Sequence, residues 1–339
     1  MGKPFNARRG SGTDHVLRDH YALVTDQVIA ALEAGTPPWR RPWDAGKAIG
    51  PSMPRNAVTG ARYKGINCLV LGMSPLTFDT GDPRWCTYRQ ASERGWQVRK
   101  GERSTTGFFF KRIEVQDGAK LAGDEEATRR VPMLRSFALF HASQMENVPP
   151  FVSPTVAEAP WRAPEAAETI VANSGAVVRV GGDQAFYSPS TDHIQMPPGQ
   201  SFHSDADWSS VMLHEMSHWS GAEARLNRDL RNSFGSHDYA REEMRVEIAM
   251  SFVCAELSIQ WNGSNSVSYI AFWLERLRSD RKEVFRAAAD AQRIADYLLG
   301  FHPAYAASQD AAGACGGGDS GNDAAESVAP SAAPVAEAA

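Results

Sequence analysis

The sequence has few cysteines and no long apolar run, and each shortage narrows its class. Only Cys68, Cys86, Cys254 and Cys315 occur among 339 residues, and no two are close in sequence. That spacing suits neither a zinc ribbon nor a disulfide framework, so a reducing, cytoplasmic compartment is expected. No apolar stretch reaches the roughly 18 to 20 residues a membrane-spanning helix needs, so no membrane partner is expected. The first ten residues carry charge with no apolar run behind them, which does not read as a secretory signal. What is present is a hydrophobic share of 42%, enough to fill a core and to exclude wholesale disorder. The length suggests about two domains.

The net charge of −5 is unevenly divided. Residues 1–150 hold 22 Lys and Arg against 15 Asp and Glu, a net of +7, and the remainder holds 13 against 25, a net of −12. A basic half followed by an acidic half points to a polyanionic partner for the first half alone.

Along the chain, residues 1–13 read as a flexible arm, and Asp14 to Ala34 carry apolar residues at helical spacing that stop at Gly35. A loop rich in Pro and Trp follows, then short helices near Gly65 to Leu71 and Thr87 to Arg94. Gly107 to Val115 and Met133 to His141 read as partnered strands around a polar loop. Pro149 to Pro164 lacks periodicity and is placed as a linker, residues 149–164, between a domain at 14–148 and one at 165–302. The second domain opens with a short helix and three brief strands ending at His193-Ile194-Gln195-Met196, where an edge strand is expected. Helices then dominate to Leu299, and residues 303–339 form a tail rich in Ala, Gly and Asp, expected to be disordered. The fold class expected is α+β: a small basic α+β domain followed by a second α+β domain.

The most informative residues are His214-Glu215-Met216-Ser217-His218. They match H-E-x-x-H, which places two imidazoles on one helical face to bind a divalent metal, with Glu215 as the general base. Asp205 or Asp207 is expected to cap this helix, and Gly221 to let the chain turn after it. A third ligand is needed, because catalytic zinc takes three protein ligands and leaves one position for water. Glu243 and Glu247, four apart on a Glu-rich helix, are its candidates. By analogy with gluzincin peptidases Glu243 binds metal and Glu247 orients a ligand histidine, with the reverse left open. Glu242 reads as a solvent-facing residue partnered by Arg241 and Arg245. Zinc is the default ion, with manganese or another divalent ion as the alternative.

The motif flanks, His218-Trp219-Ser220-Gly221-Ala222-Glu223-Ala224-Arg225-Leu226-Asn227-Arg228 and Phe186-Tyr187-Ser188-Pro189, resemble ArdC-family antirestriction proteins. So do Pro38-Trp39-Arg40-Arg41-Pro42-Trp43, Tyr63-Lys64-Gly65-Ile66-Asn67 and Val98-Arg99-Lys100-Gly101-Glu102 in the first half. The resemblance runs over about residues 15–302. It implies a protein of plasmids and other mobile elements whose first domain, shared with TraC-type primases, binds single-stranded DNA. It also implies a zincin-like second domain, and a role in shielding DNA from host restriction during conjugation. A host restriction-system protein or another peptide is then the expected substrate. The alternative is a DNA-binding shield whose metal site is structural or inactive.

Single strands are held by cations along the phosphates and by rings under the bases. Residues of those types, Arg40, Arg41, Arg62, Tyr63, Lys64, Arg89, Arg99, Lys100 and Arg103, are the DNA-contact candidates, whereas Trp39, Trp43 and Trp85 are expected to be mainly structural. Binding is expected to weaken steeply with salt and to show little sequence preference.

Overall fold

A computed structural model describes residues 19–35, 37–39, 53–116, 128–152, 163–230, 236–257, 259 and 266–306. The expected arm, most of the linker and nearly all of the tail lie outside the described residues. The first helix, α1 (His20–Glu33), starts at Asp19, whose carboxylate accepts the backbone N–H groups of Tyr21 and Ala22. Next come β1 (Arg55–Asn56), α2 (Ile66–Gly72), α3 (Pro75–Thr80), β2 (Arg84–Cys86) and α4 (Tyr88–Glu93). Thr87 and Gln90 form a reciprocal capping box at the start of α4. The strands β3 (Gln97–Val98), β4 (Thr105–Gln116), β5 (Thr128–His141) and β6 (Met145–Glu146) complete this part.

Four strands form one sheet in the order β1-β2-β5-β4, with β4 and β5 antiparallel from Thr105↔Leu139 to Gln116↔Thr128. Alternation sends Phe108 into the core, where its ring meets those of Phe285 at 5.6 Å and His20 at 5.7 Å. Trp85 is wholly buried and donates its indole N–H to Thr77 Oγ1 at 3.0 Å, a structural use. Trp39 is buried too, edge-on to Trp273 at 5.4 Å.

The second part runs α5 (Ala163–Ser174), β7 (Val177–Val180), β8 (Phe186–Ser188), β9 (His193–Met196), α6 (Asp205–Trp219), α7 (His237–Leu257), α8 (Ile270–Ser279) and α9 (Glu283–Leu299). Its sheet has the order β7-β9-β8, so His193–Met196 is the central strand and not the expected edge. The reason is apolarity: Ile194 and Met196 are completely buried beneath the helices, whereas Val177, Val180 and Phe186 on the flanking strands are exposed.

The two parts share one hydrophobic core. Val24, Val28, Leu32, Ile66, Leu69 and Phe108 belong to the same buried cluster as Met244, Phe285, Ala288 and Leu298. Polar ties follow the seam: Thr25 Oγ1 donates to the Arg281 carbonyl at 2.8 Å, and the Gly65 N–H to Gln292 Oε1 at 2.9 Å. No helix among the described residues is long and apolar enough to cross a membrane.

Candidate metal centre

Helix α6 begins at Ser204, whose hydroxyl accepts the Asp207 N–H at 3.1 Å. The cap is therefore Ser204, and Asp205 and Asp207 sit in the first turn, where the helix dipole favours negative charge. Met212, Leu213 and Met216 are fully buried and fix the rotation of α6 about its axis. That rotation turns His214 and His218 toward α7, with ring centroids 5.0 Å apart. Glu215 follows His214 and is buried with it.

Helix α7 supplies the opposing carboxylates. Glu243 places Oε2 3.7 Å from His214 Nε2 and Oε1 3.3 Å from His218 Nε2. One ligand atom from each of His214, His218 and Glu243 lies within 4.8 Å of the others, and all three residues are buried. Glu247, one helical turn further on and also buried, lies outside this group. Tyr239, a turn earlier, donates a hydrogen bond to Glu243.

Glu242 does not face solvent. Its carboxylate receives Arg228 through Nη2 at 2.8 Å and Nε at 3.2 Å, and its Oε1 stands 3.5 Å from His218 Nδ1. Arg228 also donates to the Ser217 carbonyl at 2.6 Å and to Ser220 Oγ at 3.0 Å, which ties the loop after α6 back onto the helix. Gly221 makes room for this: a Cβ there would sit 2.8 Å from Arg228 Nη2. Arg241 and Arg245, the partners expected for Glu242, bind Glu283 instead, at 3.3 and 2.9 Å. Sequence reasoning missed Arg228 and Glu242, because the only local signal was two adjacent glutamates.

The electrostatics follow from burial and crowding. Burial disfavours a charged imidazole, yet Glu243, Glu242 and Glu215 outweigh it and push His218 up to about 10. Burial likewise disfavours both carboxylates, but Arg228 and His218 hold Glu242 at about 2, and His218 and His214 hold Glu243 at about 2. Two imidazole nitrogens and a carboxylate closing on one buried point are the donor set of a divalent transition-metal site.

The residues predicted to touch DNA are scattered. Arg40 and Arg41 lie outside the described residues. Arg62 is ion-paired with the buried Glu256 and lies over the Tyr305 ring at 4.8 Å, and Lys64 pairs with Asp296 at 3.6 Å. Both therefore join the two parts of the molecule. Tyr63 is 4% exposed with its hydroxyl directed at the Trp85 carbonyl, so its ring offers no face to a base. Arg89 pairs with Glu93 at 3.2 Å and Arg99 with Glu102 at 2.7 Å. Lys100 and Arg103 are exposed on the turn before β4.

Residues 18–140 match the family model for the N-terminal domain of anti-restriction factor ArdC, and residues 165–290 match that of a zincin-like metallopeptidase, MPTase-PolyVal. A DNA primase TraC of Escherichia coli is 40% identical over 299 residues, 84% of this chain, but the chain spans only 27% of that protein's length. Protein y4eC of Sinorhizobium fredii is 40% identical over 285 residues, covering 83% of this chain and 91% of y4eC. The metal-free crystal structure of the antirestriction ArdC protein from plasmid R388 is 34% identical, with a TM-score of 0.69 over 84% of this chain and 98% of that one. The Mn(II)-bound structure of the same protein gives 35% identity and a TM-score of 0.68.

Proposed function

The chain belongs to the ArdC family of antirestriction proteins, and from that premise we propose that it binds single-stranded DNA and carries a competent metallopeptidase site. In this reading it acts in the cytoplasm, protecting DNA that enters by conjugation from host restriction. The observation that carries the catalytic half is the convergence of His214, His218 and Glu243 beside Glu215. A purely structural site needs its ligands but no adjacent carboxylate base.

His214 and His218, through Nε2, and Glu243, through its carboxylate, would hold a divalent ion. Zinc suits this donor set, and Mn(II), the ion bound in the ArdC protein from plasmid R388, is the second choice. Such an ion supplies Lewis acidity and lowers the pKa of water. Glu215 takes the proton of the attacking water on a carboxylate oxygen and returns it to the departing amine. Tyr239 and Arg228 act through their partners, keeping Glu243 and Glu242 in place. The substrate is a polypeptide, with a host restriction-system protein the expected kind.

Glu215→Gln tests this in the full chain. Peptide cleavage should fall by about 10²- to 10⁴-fold, the usual contribution of a general base, while metal content stays at wild-type level. Cleavage by Glu215→Gln at the wild-type rate, or a metal-loaded wild type that cleaves no peptide in a broad library, would remove the peptidase reading.

A further inference from the structure

The proposed binding of single-stranded DNA leaves its location open, and the residues first suggested for it are largely committed elsewhere. Arg62 and Lys64 hold the second part of the molecule, Tyr63 is buried, and Arg89 and Arg99 each have a carboxylate partner. Cations already neutralised give little electrostatic gain when a phosphate arrives, because counterion release is driven by charge that solvent ions were balancing.

The long ribbon of β4 and β5 differs in both respects. Its two strands contain Lys111, Arg112, Arg129, Arg130 and Arg135 against one acid, Glu114. Lys111 and Arg135 are exposed. Among the described residues neither has an ionic partner. The ribbon has two faces. Phe108 closes one against α1 and α9, and the register puts Gly107 opposite Phe137, Phe109 opposite Arg135, and Lys111 opposite Met133 on the other.

On that second face the rings are held in place before any ligand arrives. Phe137 lies across Gly107 so closely that a Cβ at position 107 would stand 2.7 Å from its Cζ. Phe137 also packs at the rim of the buried Tyr63, Leu71, Trp85 and Leu139 cluster. Phe109 follows at a centroid distance of 6.0 Å, and both rings remain partly open to solvent. Two fixed rings beside two exposed cations make the stacking surface with a phosphate-facing rim that a single strand requires. Glycine under Phe137 is also a known way to stabilise a strand, but strand stability needs neither Phe109 open to solvent nor Arg135 exposed beside it.

We propose that single-stranded DNA binds on this face of the β4–β5 ribbon, with bases stacked on Phe137 and Phe109 and phosphates on Arg135 and Lys111. The assignment rests on the single-strand-binding reading above and places its site. It puts the strand on the ribbon and not on the loops rich in Pro and Trp.

Fluorescence anisotropy of a labelled oligothymidylate with the full chain, across a salt series, tests it. Arg135→Glu should weaken binding at least tenfold and reduce the slope of log affinity against log salt by about one. Phe109→Leu keeps the site apolar and should weaken binding roughly 5- to 140-fold by loss of one stacked base. Arg179→Glu, the same charge change on exposed β7, should bind as the wild type does. Photo-crosslinking of wild-type protein to halogenated oligonucleotide gives a readout independent of variant folding, and the adducts should fall within Gly107–Lys111 and Met133–Phe137. Wild-type affinity in both Arg135→Glu and Phe109→Leu, or adducts confined to other segments, overturns the assignment while leaving single-strand binding intact. A wild-type chain that binds no oligothymidylate at low salt removes the underlying reading, and this assignment with it.

Discussion

Consecutive glutamates on α7 are put to different uses. Glu243 faces both imidazole Nε2 atoms, while Glu242 faces Arg228 and the far nitrogen of His218. A carboxylate on the outer nitrogen of a metal-ligating histidine fixes ring orientation and tautomer, and raises ligand basicity. Glu242→Gln keeps the shape but leaves the half-buried Arg228 without its counter-charge. Its metal affinity, measured by competition with a chromophoric chelator, should fall about 10- to 100-fold. Glu243→Gln should lose the metal almost entirely, and Glu247→Gln should keep wild-type affinity. Loss in Glu247→Gln together with retention in Glu243→Gln would reverse the ligand assignment. The histidines were legible because four residues apart on a helix is a local geometric fact. Glu242 was not, since its partner Arg228 lies 14 residues away across a loop, and only the fold brings the pair together.

At the scale of elements, the expected bounds of α2, α4 and β4 agree with the structure to within two residues, whereas α1, expected from Asp14, starts at His20. Periodicity failed for the rank of strands within a sheet. Nothing within His193–Met196 reveals that β7 and β8 flank it, since strand order is set by which apolar strand the helices bury most deeply. It failed also for the seam between α7 and α9. There Glu283 is fully buried against Arg245 at 2.9 Å and Arg241 at 3.3 Å. Burial opposes its charge, but Arg245, Arg286 and Arg241 prevail and hold it at about 2. A carboxyl whose folded pKa lies below its unfolded value of about 4.3 stabilises the fold above that pH. The contribution is then lost as pH falls toward about 2. The melting temperature should accordingly be flat with respect to this group near neutrality and should drop between about pH 4.3 and 2. Glu283→Gln should cost about 3 kcal/mol near neutrality, the typical penalty for breaking a buried pair. It should also melt with a shallower acid dependence than the wild type, and equal acid slopes in the two proteins would refute this account of the seam.

For the molecule as a whole, the two family matches invite a picture of two modules on a linker, and the packing does not support independence. Helix α1, from the first part, buries Val24, Val28 and Leu32 in the cluster that holds Phe285, Ala288 and Leu298 of α9. Tyr21 meets Phe285 at 4.7 Å, and Arg62 pairs with Glu256 near the end of α7. Cutting the chain between the two parts would expose both faces of this seam to water, at roughly 25 cal/mol per Å² of apolar surface. Folding should therefore be cooperative across the two parts. Thermal unfolding of the full chain, followed by far-ultraviolet circular dichroism and calorimetry, should give one transition with matching calorimetric and van't Hoff enthalpies. Residues 1–150 alone should melt lower and less sharply than the full chain. The seam runs through α7, whose own carboxylates face the histidines, so metal binding should raise the temperature of that single transition. Two separated transitions, with only the second shifted by zinc, would mean that the shared core does not couple the two parts.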